Sequence, residues 1–214
     1  RRHVIKVAGA AAVAAAGVRP ANAESPSSDV IRVGLVGAGG RGTGAMMQTL
    51  AVPGSNVKLT AIADVFDGSI DKALKQAEAQ PDKVDCPPDR RFQGLDGYKQ
   101  VLDHCDLVIL ATPPGFRPFH FEEAVKAGKH VFMEKPVCVD AFGARLCLEA
   151  AKLADEKKLK VVVGLQRHYE DKYLQALARV RDGLIGDIVS GTISWNSDRP
   201  WFKNRKEGMS ELQY

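Results

Sequence analysis

The residues best suited to chemistry in this 214-residue chain lie in a few short stretches. Gly37-Ala38-Gly39-Gly40-Arg41-Gly42 fits the pattern Gly-x-Gly-x-x-Gly. It follows an apolar run, Ile31 to Val36, and opens a helical pattern, the setting in which such glycines act together. Gly37 allows a tight turn, Gly39 lets main chain approach a diphosphate, and Gly42 lets helix and strand pack closely. Ala38, Gly40 and Arg41 complete the loop. The anion would face free N–H groups and the positive end of the helix dipole. Asp64 lies 22 residues after Gly42, at the end of the next apolar run, Val57 to Ala63. A carboxylate there accepts hydrogen bonds from ribose hydroxyls and repels a 2′-phosphate, which predicts NAD in preference to NADP. Arg41 is a nearby cation that could soften that discrimination.

Two further turns follow apolar runs. Ala111-Thr112-Pro113-Pro114 ends the run from Leu107. Its proline pair would hold a loop open and leave carbonyls for a ligand, although a plain turn before a helix fits as well. Glu134-Lys135-Pro136 ends Val131-Phe132-Met133. An ammonium in a low-dielectric site could hydrogen-bond a substrate hydroxyl and stabilise a developing alkoxide, or help move its proton. Glu134 could hold that lysine or a ribose hydroxyl. Pro136 would fix the turn, through a cis bond if needed. The competing reading is a surface ion pair of little consequence.

The elements that must position these groups alternate along the chain. Apolar runs at 31–36, 57–63, 107–111, 131–133 and 161–163 are short and β-branched, as buried parallel strands are. Helices are predicted over 42–52 and 67–79, around Phe121, Ala124 and Val125 with a stop at Gly128, and from an Asp140 cap through Phe142, Leu146, Ala150 and Leu153. The proline-rich segment 81–91 reads as a loop. This predicts an α/β fold, a Rossmann-type doubly wound parallel sheet, over residues 30–165. Residues 166–214 read as the start of a second α+β domain. They hold a helix through Tyr173, Leu174, Leu177 and Val180, then an alternating strand pattern at 188–195.

Charge and cysteines narrow the function classes. Of the 30 basic residues, four lie in residues 1–23, which hold no acid; the remainder balances at 26 basic and 26 acidic. The net charge of +4 therefore gives no support to a nucleic-acid partner. Residues 1–23 combine Arg1-Arg2, a mildly apolar run and Ala21-Asn22-Ala23, the order of a twin-arginine export signal. Export by the twin-arginine route, to the periplasm or otherwise out of the cytoplasm, is expected, with residues 24–29 as a linker and no membrane association after signal removal. Cys86, Cys105, Cys138 and Cys147 show no metal-ligand spacing and are expected as thiols; no metal is expected.

The segments VGLVGAGGRG (33–42), AIADVF (61–66), ATPPGFRPFHFEEAVKAGKHVFMEKPV (111–137) and VVVGLQRHY (161–169) resemble the Gfo/Idh/MocA family, which includes glucose–fructose oxidoreductase and inositol dehydrogenase. The resemblance implies that Lys135 is the active-site lysine, that the Lys135–Pro136 bond is cis, and that His120 and Arg167 line or border a dinucleotide cleft. It implies hydride transfer between NAD and a sugar, polyol or related secondary alcohol. A glycoside hydrolase that keeps NAD bound, or a dinucleotide-binding protein with an inactive site, are the alternatives. Family members carry an Asp-x-x-x-His-like element in a larger second domain and pair through its sheet. No such element occurs here, and His104 and His168 are not substitutes. The chain is thus expected to be truncated, to lack part of its substrate site, and to form a homo-oligomer when full length.

Overall fold

The computed structural model describes residues 30–196 and 204–211. The expected export signal and linker, residues 1–29, lie outside the described residues. The described chain forms two compact units, one ending at Leu165 and one beginning at Gln166.

The first unit alternates strands and helices: β1 (Ile31–Val36), α1 (Gly40–Leu50), β2 (Val57–Asp64), α2 (Asp67–Ala77), β3 (Arg91–Gln93), α3 (Gly97–Asp103), β4 (Leu107–Leu110), α4 (Arg117–Lys126), β5 (His130–Met133), α5 (Ala141–Glu156) and β6 (Val161–Val163). All neighbouring strands pair in parallel, in the order β3-β2-β1-β4-β5-β6. The fold is a Rossmann-type doubly wound α/β sheet, and the order reverses between β1 and β4.

Side-chain alternation along each buried strand feeds two cores. Val33, Leu35, Leu59, Ile62 and Ile109 pack with Met46, Leu50, Ile70 and Ala73 of α1 and α2. Val36, Ala61, Ala63, Val108 and Leu110 pack with Val101, Phe121, Val125 and Ala150 of α3, α4 and α5. Both faces are covered, so the strands read as unbroken apolar runs. β2 carries one extra residue, Thr60, opposite the Val33–Gly34 step. Its buried hydroxyl donates to the His104 carbonyl at 2.7 Å, which satisfies the polar group that the irregularity turns inward.

At the amino ends of the strands, Arg32 grips Asp106 through Nε and Nη2 at 3.1 and 2.6 Å. This pair fixes β1 against β4 at the edge opposite the glycine turn. Helix ends follow local chemistry. Asp140 caps α5 by accepting from Gly143 N at 2.6 Å, as its side-chain type predicts. Gly128, at φ +72°, ends α4 with its N–H on the Val125 carbonyl.

Some expectations change. The segment 81–91 is not only loop: 3-10 turns at Pro81–Lys83 and Pro88–Arg90 lead into β3, whose three residues pair with the end of β2. α3 is also absent from the periodicity reading, because seven residues are too few for a clear stripe. α4 begins four residues before Phe121, since Pro118 in its first turn forfeits an N–H that needs no partner there. Glu122 and Glu123 therefore sit in its second turn and pair with Lys126.

The second unit holds a 3-10 turn, Gln166–His168, and α6 (Asp171–Arg181). Residues 188–195 form no strand, and all are exposed. An alternating pattern becomes a strand only when another strand completes its ladder, and none among the described residues pairs with it. All four cysteines are free thiols. Among the described residues no helix is long and apolar enough to cross a membrane, and no cluster of His, Cys, Asp or Glu could hold a metal ion.

Candidate active site

The reversal of strand order leaves a crevice beyond the carboxyl ends of the strands, and the glycine turn lies at its base. Gly37 adopts φ +91°, a left-handed conformation that side chains disfavour. A Cβ there would also lie 2.7 Å from Thr112 N, so the turn after β1 presses against the main chain after β4. A Cβ on Gly42 would lie 1.8 Å from the Gly37 carbonyl oxygen, so α1 packs directly on the turn. Gly39 and Gly40, by contrast, face open space. No side chain caps the start of α1. Room above Gly39 and Gly40, together with uncapped helix N–H groups, suits a diphosphate.

Two neighbours hold this loop. Ala38 N donates to Asp64 Oδ2 at 2.7 Å, and Thr43 Oγ1 donates to the Ala38 carbonyl at 3.0 Å. Asp64 also accepts from Phe66 N through Oδ1 at 3.0 Å. The aspartate singled out for ribose thus shapes the loop as well. A carboxylate has about four lone-pair positions, so about two stay open to ribose hydroxyls.

Arg41 and Glu134 meet across the crevice, Nε to Oε1, at 2.7 Å. The Glu134 side chain is only 9% exposed and that of Arg41 53%, so the glutamate is the fixed end. Its carboxylate lies against Gly164, where a Cβ would come within 3.2 Å of both oxygens. This corrects the expectation that Glu134 holds Lys135: the closer cation is Arg41, whose Nη2 also donates to Gln48 at 3.0 Å. Lys135 and Pro136 are exposed, and among the described residues Lys135 makes no hydrogen bond or ion pair. The low-dielectric surroundings expected for Lys135 are therefore not present among the described residues. The Lys135–Pro136 bond is cis.

The Thr112-Pro113-Pro114 turn does not leave all its carbonyls free. Thr112 O accepts from Arg117 Nη2, and Pro113 O accepts from Phe116 N at 3.0 Å. The same Arg117 donates through Nη1 to the Pro136 carbonyl. Sequence reasoning missed this residue. Its one signal was a charged residue beside Pro118 at a helix start, where surface exposure is the ordinary expectation; Arg117 is instead 3% exposed.

His120 is buried one turn further along α4. Its Nδ1 is hydrogen-bonded to Thr112 Oγ1 at 3.1 Å, and its ring stacks on Tyr98 with centroids 4.1 Å apart. Burial, and then the positive charge of Arg117, push its pKa down to about 4. It is a neutral ring bracing the Thr112 turn. Arg167 belongs to the second unit, where Nε donates to the Tyr173 hydroxyl at 2.9 Å and the guanidinium lies 4.7 Å from the Trp195 ring centre.

The family model described as "Oxidoreductase family, NAD-binding Rossmann fold" (Gfo/Idh/MocA) matches residues 31–165. The chain is 30% identical over 165 residues to an inositol 2-dehydrogenase of Rhizobium meliloti, a match spanning 77% of this chain and 44% of that protein. It is 29% identical over 223 residues to a glycosyl hydrolase family 109 protein of Shewanella putrefaciens, spanning 94% of this chain and 47% of that one. Among solved structures it is similar to scyllo-inositol dehydrogenase from Lactobacillus casei with bound NAD(H) and scyllo-inositol: 26% identity, TM-score 0.60, 74% of this chain and 43% of the other. The chain spans less than half the length of the curated relatives it matches.

The lowered pKa of His120 has a consequence for stability. In the unfolded chain this ring takes up a proton near pH 6.5, whereas the folded site resists protonation until about pH 4. The contribution of the site is full above pH 6.5 and falls as the pH drops towards 4, by up to roughly 3 kcal/mol. Urea midpoints at pH 7 and pH 4.5 should show a larger acid loss for the native sequence than for His120→Gln. Equal losses would remove His120 from the acid response.

Proposed function

The chain belongs to the Gfo/Idh/MocA family of oxidoreductases with an NAD-binding Rossmann fold, and from that premise we propose that it serves hydride transfer between a nicotinamide dinucleotide and a sugar, polyol or related secondary alcohol. The observation that carries this reading is the Arg41–Glu134 contact of 2.7 Å, which brings the glycine turn and the residue before Lys135 to one crevice.

Gly39, Gly40 and the start of α1 would hold the diphosphate, and Asp64 the adenosine ribose. A bound nicotinamide would supply the hydride acceptor or donor. Lys135 hydrogen-bonds the reacting hydroxyl oxygen and stabilises the negative charge that develops there. We infer NAD rather than NADP. Asp64 lies on the β2 side of β1, where its charge opposes a 2′-phosphate. Arg41, the cation that could offset it, is directed to Glu134 on the β5 side.

A second reading, glycoside hydrolysis with no net redox change, is favoured by one finding: the match to the glycosyl hydrolase family 109 protein extends over 94% of the chain. An inactive dinucleotide-binding protein is the third. A homo-oligomer and a small carbohydrate partner belong to the first two readings alike. We also propose that residues 1–23 direct twin-arginine export to the periplasm.

These readings separate in simple assays. Lys135→Met should lower turnover at least about a hundredfold while calorimetry finds dinucleotide affinity unchanged; full turnover in the variant excludes Lys135 from the chemistry. Release of nitrophenol from nitrophenyl glycosides at constant NADH absorbance selects the hydrolase over the dehydrogenase. Asp64→Ala should narrow the preference for NAD over NADP by about tenfold, and an unaltered ratio would assign Asp64 to loop architecture alone. For export, changing Arg1 and Arg2 together to Lys should trap the protein in the cytoplasm; continued export would refute the signal.

A further inference from the structure

Arg117 is a buried cation whose position has no evident reason in the fold alone. It opens α4, is 3% exposed, and donates from its two terminal nitrogens to the carbonyls of Thr112 and Pro136. Its Nε is buried with no partner. No carboxylate forms an ion pair with it among the described residues. Burying a guanidinium whose hydrogen bonds go to two neutral oxygens, with one donor unmet and the Glu134 carboxylate attracting it only through space, is an expensive way to join two loops.

The two loops are the ones that matter. Pro136 follows Lys135 directly. Thr112 N packs against Gly37 in the glycine turn. One planar fork thus ties the lysine turn after β5 to the turn after β4, and through it to the glycine turn. Thr112 is held twice from the first turns of α4, by Arg117 at its carbonyl and by His120 at its hydroxyl. A guanidinium reaches two carbonyls from two separate nitrogens in one plane, whereas an ammonium must draw both to a single nitrogen. Lys135 has no partner of its own among the described residues, so its placement depends on how rigidly its main chain is held.

We propose that Arg117 is a positioning residue that fixes the Lys135 main chain relative to the glycine turn, so that the ammonium faces the nicotinamide end of a bound dinucleotide. This inference rests on the proposed oxidoreductase reading. It goes beyond that reading by assigning the placement of Lys135 to a buried side chain outside the glycine turn, the Thr112-Pro113-Pro114 turn and the Glu134-Lys135-Pro136 turn.

The test reads position rather than activity. The acylation rate of Lys135 is followed by peptide mass spectrometry with and without saturating NADH, in the native sequence, Arg117→Lys, Arg117→Gln and Arg32→Ala. Arg32 is an arginine clamp at the opposite edge of the sheet and serves as the control. NADH should slow acylation of Lys135 about tenfold in the native sequence and in Arg32→Ala. Both Arg117 variants should bind NADH within about threefold of the native affinity yet lose most of this protection. Hydrogen exchange should quicken at the two turns that Arg117 ties, residues 111–116 and 133–139. Protection retained in both Arg117 variants overturns the proposal, as does protection lost only in step with NADH affinity. If neither Arg117 variant folds, Arg117 belongs to the fold and the proposal fails. If NADH binds the native protein without protecting Lys135, the placement of Lys135 beside the nicotinamide fails first, and this inference with it.

Discussion

The site depends on one close approach. α1 lies so near the turn after β1 that a single methyl group on Gly42 would collide with the Gly37 carbonyl oxygen. Because of that contact, the uncapped end of the helix opens where the strand order reverses, rather than over the flat of the sheet. The open space at Gly39 and Gly40 follows from it, as does the reach of Arg41 from the first turn of α1 to the end of β5. Asp64 and Thr43 then secure the loop by hydrogen bonds to Ala38.

Around this point the charges are arranged by depth. Arg32 and Asp106 form a half-exposed clamp at the amino ends of β1 and β4. At the carboxyl ends Glu134 is buried and Arg41 partly solvated, while Arg117 lies wholly inside and bonds only to carbonyls. The amino edge is built as an ordinary surface pair, which holds register and contributes little more. The carboxyl edge concentrates buried polar groups, which are costly and therefore informative about function. His120 belongs to the same pattern: its burial beside a cation keeps it neutral, so it braces Thr112 without adding charge.

Much of this was legible in the residues. The parallel strands stood out because burial on both faces removes polar interruptions, as in Leu107–Leu110. The glycine turn stood out because each glycine answers a separate steric demand. β3 and α3 did not, because each is short and takes its stability from neighbours: β3 from pairing with β2, α3 from packing over β1, where a Cβ on Gly34 would meet Val101 at 2.4 Å. The expected strand at 188–195 shows the converse, since alternation without a partner strand leaves the chain irregular.

By itself the sequence determined the doubly wound fold, the glycine turn, the carboxylate that ends β2 and the lysine turn after β5, because these follow from local pattern and strand order. Only the tertiary structure decided which charges meet. Nothing in the spacing of Arg41 and Glu134, 93 residues apart, announces their contact. Nothing around Arg117 announces that it points inward to two carbonyls rather than out to water. A side chain's partner is set by where the sheet order places distant loops, and that placement exists only once the strands have assembled.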